Sequence, residues 1–315
     1  MPPPHSPPGD APSMEPRRRP FPRLHVQRST GADFGEAVAE AWFSRHGGGR
    51  IDIPLGVVAA LALWPCKTPG AVHAQSTADF VAAQPAGQWP ATVEEVTATY
   101  WMRRPDLIGT AAPIFHWSEE KQSPGTLRAI KAVADAALRH GVLEHTGDAD
   151  PAQRSKVDLL SWTIISLRHR SERESLGEFH TPPAIIETMA IARLGDPPPP
   201  QGAMAELTGG TGGMFRSAVQ HLRRHRVDPS GWTWHLQDRD PLAAAAACVN
   251  FLVWDMGPNS LVSCGDSLSR GDLFDETLAA RRELETLRDT TVDAAAIMSS
   301  HSAAHGWVER VHQAP

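Results

Sequence analysis

The chain has 315 residues and a formal net charge of −6, enough length for two folded units and no global basic character for gripping nucleic acid. Its three cysteines, Cys66, Cys248 and Cys264, are far apart and odd in number. They offer neither a disulfide framework nor a paired-cysteine metal site, and they point to a reducing cytoplasm. The longest apolar run, residues 53–64, falls short of the about 20 residues that span a bilayer, and the start lacks the apolar stretch of a secretory signal. No membrane partner is expected.

Residues 1–28 are rich in proline and carry Arg17-Arg18-Arg19. Proline fixes φ and removes a donor, so this segment reads as a disordered tail. Residues 29–147 read as an all-helical N-terminal domain. Phe34, Val38, Ala41 and Trp42 share one helical face behind the entry signal Ser29-Thr30-Gly31, and Asp52 is placed to cap the apolar helix that Pro65 stops. Further helical patterns cover residues 93–102 and 127–143. Trp42, Trp64, Trp89, Trp101 and Trp117 are expected to anchor a core rather than to stack on bases. Asp150 then caps a helix predicted over residues 151–170, the bridge into the second unit.

From there the pattern changes to short apolar strands alternating with helices, in a domain expected over 148–290 and followed by a C-terminal tail over 291–315. A helix is predicted over residues 184–194, then strands over 203–207, 232–237 and 261–264. Such alternation makes a parallel α/β sheet with ligand sites at the carboxyl ends of its strands. The fold class expected is therefore α/β: a helical N-terminal domain, then a Rossmann-like unit.

The first strand leads into Glu206-Leu207-Thr208-Gly209-Gly210-Thr211-Gly212-Gly213, and a helix follows with Phe215, Ala218, Val219 and Leu222 on one face. A glycine turn opening a helix leaves backbone N–H groups bare for a ligand. Acids stand at the ends of three successive strands: Glu206, Asp238 and Asp266. A carboxylate after the second strand can accept from both ribose hydroxyls, and the third can accept from an adenine amino group. Each acid taken singly is better explained as a turn or cap residue than as a ligand. In register with a glycine turn, the three together predict an adenosyl site.

Four ordered motifs carry a family resemblance: Gly177-Glu178-Phe179-His180-Thr181-Pro182-Pro183, the glycine motif from Glu206, Gln237-Asp238-Arg239-Asp240-Pro241 with Asn250, and Gly265-Asp266-Ser267-Leu268. Over roughly residues 150–270 the chain resembles the N6-adenine DNA methyltransferases, most of all the modification subunit of type I restriction–modification systems, which also sets a helical domain before the catalytic one. The resemblance implies S-adenosylmethionine as cofactor and DNA as partner. It implies that Thr181 and Pro182 face the methionine carboxylate, that Glu206, Gly210 and Gly212 hold the amino-acid moiety, that Asp238 takes the ribose hydroxyls, and that Asp266 takes the adenine amino group.

Three departures stand out. Glu206-Leu207 replaces the usual Asp-Pro, and Asp238 replaces the usual Glu. After Leu268 there is no Asn/Asp-Pro-Pro-aromatic tetrapeptide, the motif that grips and stacks on a flipped adenine. No catalytic residue is therefore assigned, and a specificity or catalytic partner subunit is expected. The competing readings are a catalytically inactive S-adenosylmethionine- or DNA-binding module and, in another class, a nicotinamide-binding oxidoreductase. The latter is disfavoured because Gly209-Gly210-Thr211-Gly212-Gly213 is not the spaced GxGxxG. His221 and His225 sit one helical turn apart, as do His301 and His305, but neither pair has a third donor nearby in sequence, so no metal is expected. Arg223-Arg224-His225-Arg226 is a local basic run whose plain reading is a solvated helix end. Cys264, in an apolar strand, is expected to be buried and inert.

Overall fold

A computed structural model describes residues 23–176 and 181–312 of the chain. Fifteen α-helices and three strands, with short 3-10 turns between some of them, follow one another among these residues. The first part is helical: α1 (Gly31–His46), α2 (Asp52–Ala62), α3 (Ala74–Ala82), α4 (Trp89–Trp101), α5 (Ile108–Phe115), α6 (Pro124–Arg139), α7 (Val142–Thr146), α8 (Pro151–Arg154), α9 (Leu159–Leu167) and α10 (Arg170–Leu176). The alternating part is α11 (Pro183–Leu194), β1 (Gly202–Glu206), α12 (Gly213–Arg224), β2 (Trp232–Asp238), α13 (Pro241–Val253), β3 (Ser260–Cys264), α14 (Ser267–Arg270) and α15 (Phe274–His312).

Helix α1 starts where Thr30 accepts a hydrogen bond from the Asp33 amide, and Gly47, at φ +78°, closes it. It lies hard against α9. A Cβ at Gly35 would fall 2.4 Å from the Trp162 carbonyl oxygen, so only glycine allows this approach. In α2 every residue from Ile53 to Ala62 is buried, which marks it as the central helix of the bundle. Trp42, Trp89 and Trp117 are buried core anchors, while Trp64 and Trp101 pack at its margin.

The sheet is parallel, in the order β1-β2-β3, with Glu206 opposite Leu236 and Asp238 opposite Cys264. Helices α12 and α13 are its crossovers. Residues 243–251 of α13 are buried, because α13 packs on β2 and β3 on one side and on α2, α5 and α9 on the other. One continuous apolar cluster thus runs from Phe34 in α1 to Val262 in β3.

Several expectations need correction. The helix predicted over 151–170 is broken into α8 and α9, because Asp158 turns out of the helix and caps a new one by accepting from the Ser161 amide. Residues 1–22 lie outside the described residues. Residues 23–28, assigned to the disordered tail, are instead pinned: the Leu24 amide donates to Asp79 at 2.7 Å and the Gln27 amide to the Arg139 carbonyl at 2.8 Å. Helix α15 runs to His312, through much of the expected C-terminal tail. Asp52 is the first residue of α2 rather than its cap, which is Ile51.

Candidate functional site at the carboxyl rim of the sheet

Chain direction alone brings three strand ends to one rim. Glu206 is the last residue of β1 and Asp238 the last of β2. Asp266 follows Gly265, whose amide donates to the Asp238 carbonyl at 2.9 Å. The turn after β1 folds over the end of β2: the Gly209 amide donates to the Gln237 carbonyl at 3.0 Å, and the Gly210 amide to Asp238 Oδ2 at 2.7 Å. The other Asp238 oxygen accepts from the Asp240 amide at 2.9 Å. Each carboxylate oxygen retains a lone pair beyond these bonds.

Two glycines in the turn have opposite surroundings. A Cβ on Gly209 would meet Leu236 Cγ at 2.4 Å, so this residue is filled in from behind. Gly210, at φ +53°, has nothing within 4 Å of a built Cβ, so its front is open. Gly212, at φ +94°, is the N-cap of α12, which presents the bare start of a 12-residue helix to the same opening.

The electrostatics of the two neighbouring acids run the same way. Burial pushes the Glu206 carboxyl above its usual range, and the Asp238 charge adds to the rise against hydrogen bonds from Thr208. Burial likewise pushes Asp238 up, opposed by the Asp240 and Gly210 amides. Each carboxylate is therefore under-compensated in its ionised form, and a cation placed between them relieves both.

The remaining candidates are placed less closely. Pro182 caps α11, with the Ile185 and Ile186 amides donating to its carbonyl at 2.9 and 3.1 Å. Ile186 brings this first turn to within 4.0 Å of a built Cβ on Gly213, so Thr181 and Pro182 stand at the glycine-turn end of α12. Residues 177–180, the start of that motif, lie outside the described residues. Asp266 is on the common rim, but its Oδ1 accepts from the Leu268 amide as the N-cap of α14, so its plainest role is structural.

Sequence reasoning missed what holds the turn in place. Asp158 Oδ2 accepts from Thr211 Oγ1 at 2.7 Å, and its Oδ1 accepts from Asn250 Nδ2, which also donates to the Thr211 carbonyl. Asp240 forms an ion pair with Arg168 at 2.7 Å, and Arg239 donates to the Leu176 carbonyl at 2.6 Å. The cap-like spacing of Asp158 was the available signal, hidden inside what read as one helix. Cys264 proves exposed rather than buried, yet partial burial and the charges of Asp238 and Asp240 push its thiol up, away from reactivity. Arg223 and Arg224 of the basic run are engaged internally, Arg223 with the carbonyls of Trp254 and Asp255 and Arg224 with Glu187. Among the described residues no helix is long and apolar enough to cross a membrane.

The N-6 DNA methylase family model matches residues 163–290, which take in the glycine turn and all three strands. Among solved structures, the chain is similar to the methyltransferase subunit of a type I restriction–modification system from Streptococcus thermophilus. Identity is 14% and the TM-score 0.43, and the match spans 77% of this chain and 60% of that one. No curated protein is significantly similar to the chain.

Proposed function

Residues 163–290 match the N-6 DNA methylase family, and on that premise we propose that the chain is an S-adenosylmethionine-dependent, DNA adenine-N6 methyltransferase-like protein of a restriction–modification or defence system. The observation that carries the reading is the pairing of Gly210 with Asp238 beside Glu206: an open glycine turn between two under-compensated carboxylates. This arrangement suits a ligand with a cationic, amine-bearing end and a ribose. Glu206 and the Gly210–Gly212 backbone would hold the amino-acid moiety, with Thr181 and Pro182 beside it. Asp238 would accept from the ribose hydroxyls, and Asp266, on the same rim, from the adenine amino group. S-adenosylmethionine supplies the methyl group when bound. The chain's own part is to bind and orient it.

Transfer needs more. The sequence after Leu268 lacks the Asn/Asp-Pro-Pro-aromatic segment that would receive an extruded adenine, so a partner subunit is proposed to supply that function or to complete it. A cofactor-binding module without turnover is the second reading, and the same missing tetrapeptide favours it.

Calorimetry on the full chain separates these from the nicotinamide reading. S-adenosylmethionine is expected to bind, and Asp238→Ala to weaken it by about 10- to 100-fold, the scale of hydrogen bonds to a charged group. Binding of NAD with no binding of S-adenosylmethionine would overturn the proposal. Incubation with DNA and labelled cofactor is expected to give little transfer by the chain alone; robust turnover would refute the need for a partner.

A further inference from the structure

The two histidines that lacked a third donor in sequence acquire one in space. His221 lies in the last turn of α12 and His225 is its C-cap, their rings 4.8 Å apart at 60°. Gly195, at φ +82°, ends α11 and turns the chain back across α12, which carries Asp196 to them. Asp196 Oδ1 is 3.1 Å from His225 Nε2, and the Gly195 carbonyl oxygen is 2.8 Å from His221 Nε2. One donor atom from each of Asp196, His221 and His225 falls within 4.8 Å of the other two.

We propose that Asp196, His221 and His225 form a divalent-cation site that fastens α11 to α12. In a tetrahedral site, metal–ligand distances of about 2.0–2.2 Å put donors about 3.3–3.6 Å apart, so the three atoms, all within 4.8 Å of one another, need only a small inward shift. The remaining closure falls to Asp196 and His225, whose side chains are 65% and 33% exposed and can move, while His221 is 2% exposed. Two imidazoles and one carboxylate form a donor set of the kind that takes Zn²⁺ or a neighbouring transition metal rather than Mg²⁺ or Ca²⁺, which prefer oxygen ligands. Arg224, the cation next to His225, is already paired with Glu187, which lowers the local charge opposing an ion. Ligation through Nδ1 keeps the His221 Nε2 proton on the Gly195 carbonyl, whereas ligation through Nε2 moves the proton to Nδ1 and releases that carbonyl.

The site has a mechanical consequence. Helix α11 begins at the Thr181–Pro182 turn and α12 begins at the glycine turn, so an ion near their distal ends would fix the two motif-bearing ends relative to each other.

The test uses the untagged full chain, stripped with chelator and titrated with Zn²⁺ and with Co²⁺. One equivalent of Zn²⁺ is expected to bind and raise the melting temperature, and Co²⁺ to give visible d–d absorption. Asp196→Asn and His225→Gln alter accessible side chains and should leave the fold intact by circular dichroism. Each is expected to weaken Zn²⁺ binding by at least about tenfold, the scale on which even the outer partners of metal ligands act. Two results would overturn the proposal: no stoichiometric uptake by the native chain, leaving only a His225–Asp196 ion pair, or uptake unchanged in both variants, which would assign the metal to other residues. Neither outcome depends on S-adenosylmethionine binding.

Discussion

Asn250 Nδ2 donates to Asp158 Oδ1 at 3.0 Å, joining positions 92 residues apart across the seam between the helical bundle and the sheet. The same amide donates to the Thr211 carbonyl at 2.9 Å, so one side chain ties α9, the glycine turn and α13 together.

Asn250→Ala is expected to destabilise the chain by about 1–3 kcal/mol, because it removes a buried donor and leaves Asp158 and Thr211 under-satisfied. Asn250→Asp should be worse, since it sets a second carboxylate against Asp158. Denaturant unfolding of the three proteins checks the order.

The two turn glycines should separate stability from binding. Gly209→Ala drives a methyl group into Leu236 and should cost about 1–3 kcal/mol through overpacking. Gly210→Ala meets no neighbour and pays mainly for its positive φ, about 1 kcal/mol. If the open front of Gly210 receives the cofactor, Gly210→Ala should lose S-adenosylmethionine affinity out of proportion to its small effect on melting. Equal affinity for Gly210→Ala and the native chain would place the ligand elsewhere.

Burial raises the Glu206 carboxyl above its ordinary value of 4.5 in the folded chain. Between the ordinary and the raised value the folded state binds more protons than the unfolded state, so this group makes stability fall as pH rises through that window. Glu206→Gln should remove the slope and stabilise the unliganded chain above it. A cationic ligand favours the ionised carboxylate, so S-adenosylmethionine affinity should rise with pH over the same window. Calorimetry in buffers of different ionisation enthalpy reports the released proton.

Lys67 provides a pH effect of opposite sign, away from the rim. Burial pulls its ammonium down from 10.5 to about 7, aided by the charge of Arg154. From about 7 to 10.5 the unfolded chain is the more protonated, so this residue makes stability rise with pH. Lys67→Met should flatten that rise and stabilise the chain near pH 7, by urea unfolding at each pH.

Much of the site was readable because its elements are local. The apolar stripe Phe215, Ala218, Val219 and Leu222 is buried as its spacing predicts, and Pro241 stands at the start of α13 as its fixed φ favours. The glycine turn and the acids at strand ends are likewise short-range patterns, and parallel order then carries Glu206 and Asp238 to one rim. What escaped depends on distance in sequence. Asp158 caps α9 and grips Thr211 at once, but only the tertiary bond distinguishes it from a polar residue within a helix. Asp196 joins His221 and His225 only because α11 turns back at Gly195, and residues 23–28 look like tail until the bonds to Asp79 and Arg139 appear.

Helix α13 is hidden almost throughout its length, roofed by bundle helices and floored by strands. Its terminal carbonyls are collected by arginines from both sides: Arg154 donates to the Val253 oxygen at 2.6 Å and Arg223 to the Trp254 oxygen at 2.6 Å. Severing the polypeptide near position 150 would strip this alanine-rich rod of α2 and α5, and the exposed apolar face is expected to make the fragment aggregate. The amino-terminal helices are thus the other wall of the sheet-bearing half, and Asp158 at the head of α9 joins that wall to the glycine bend.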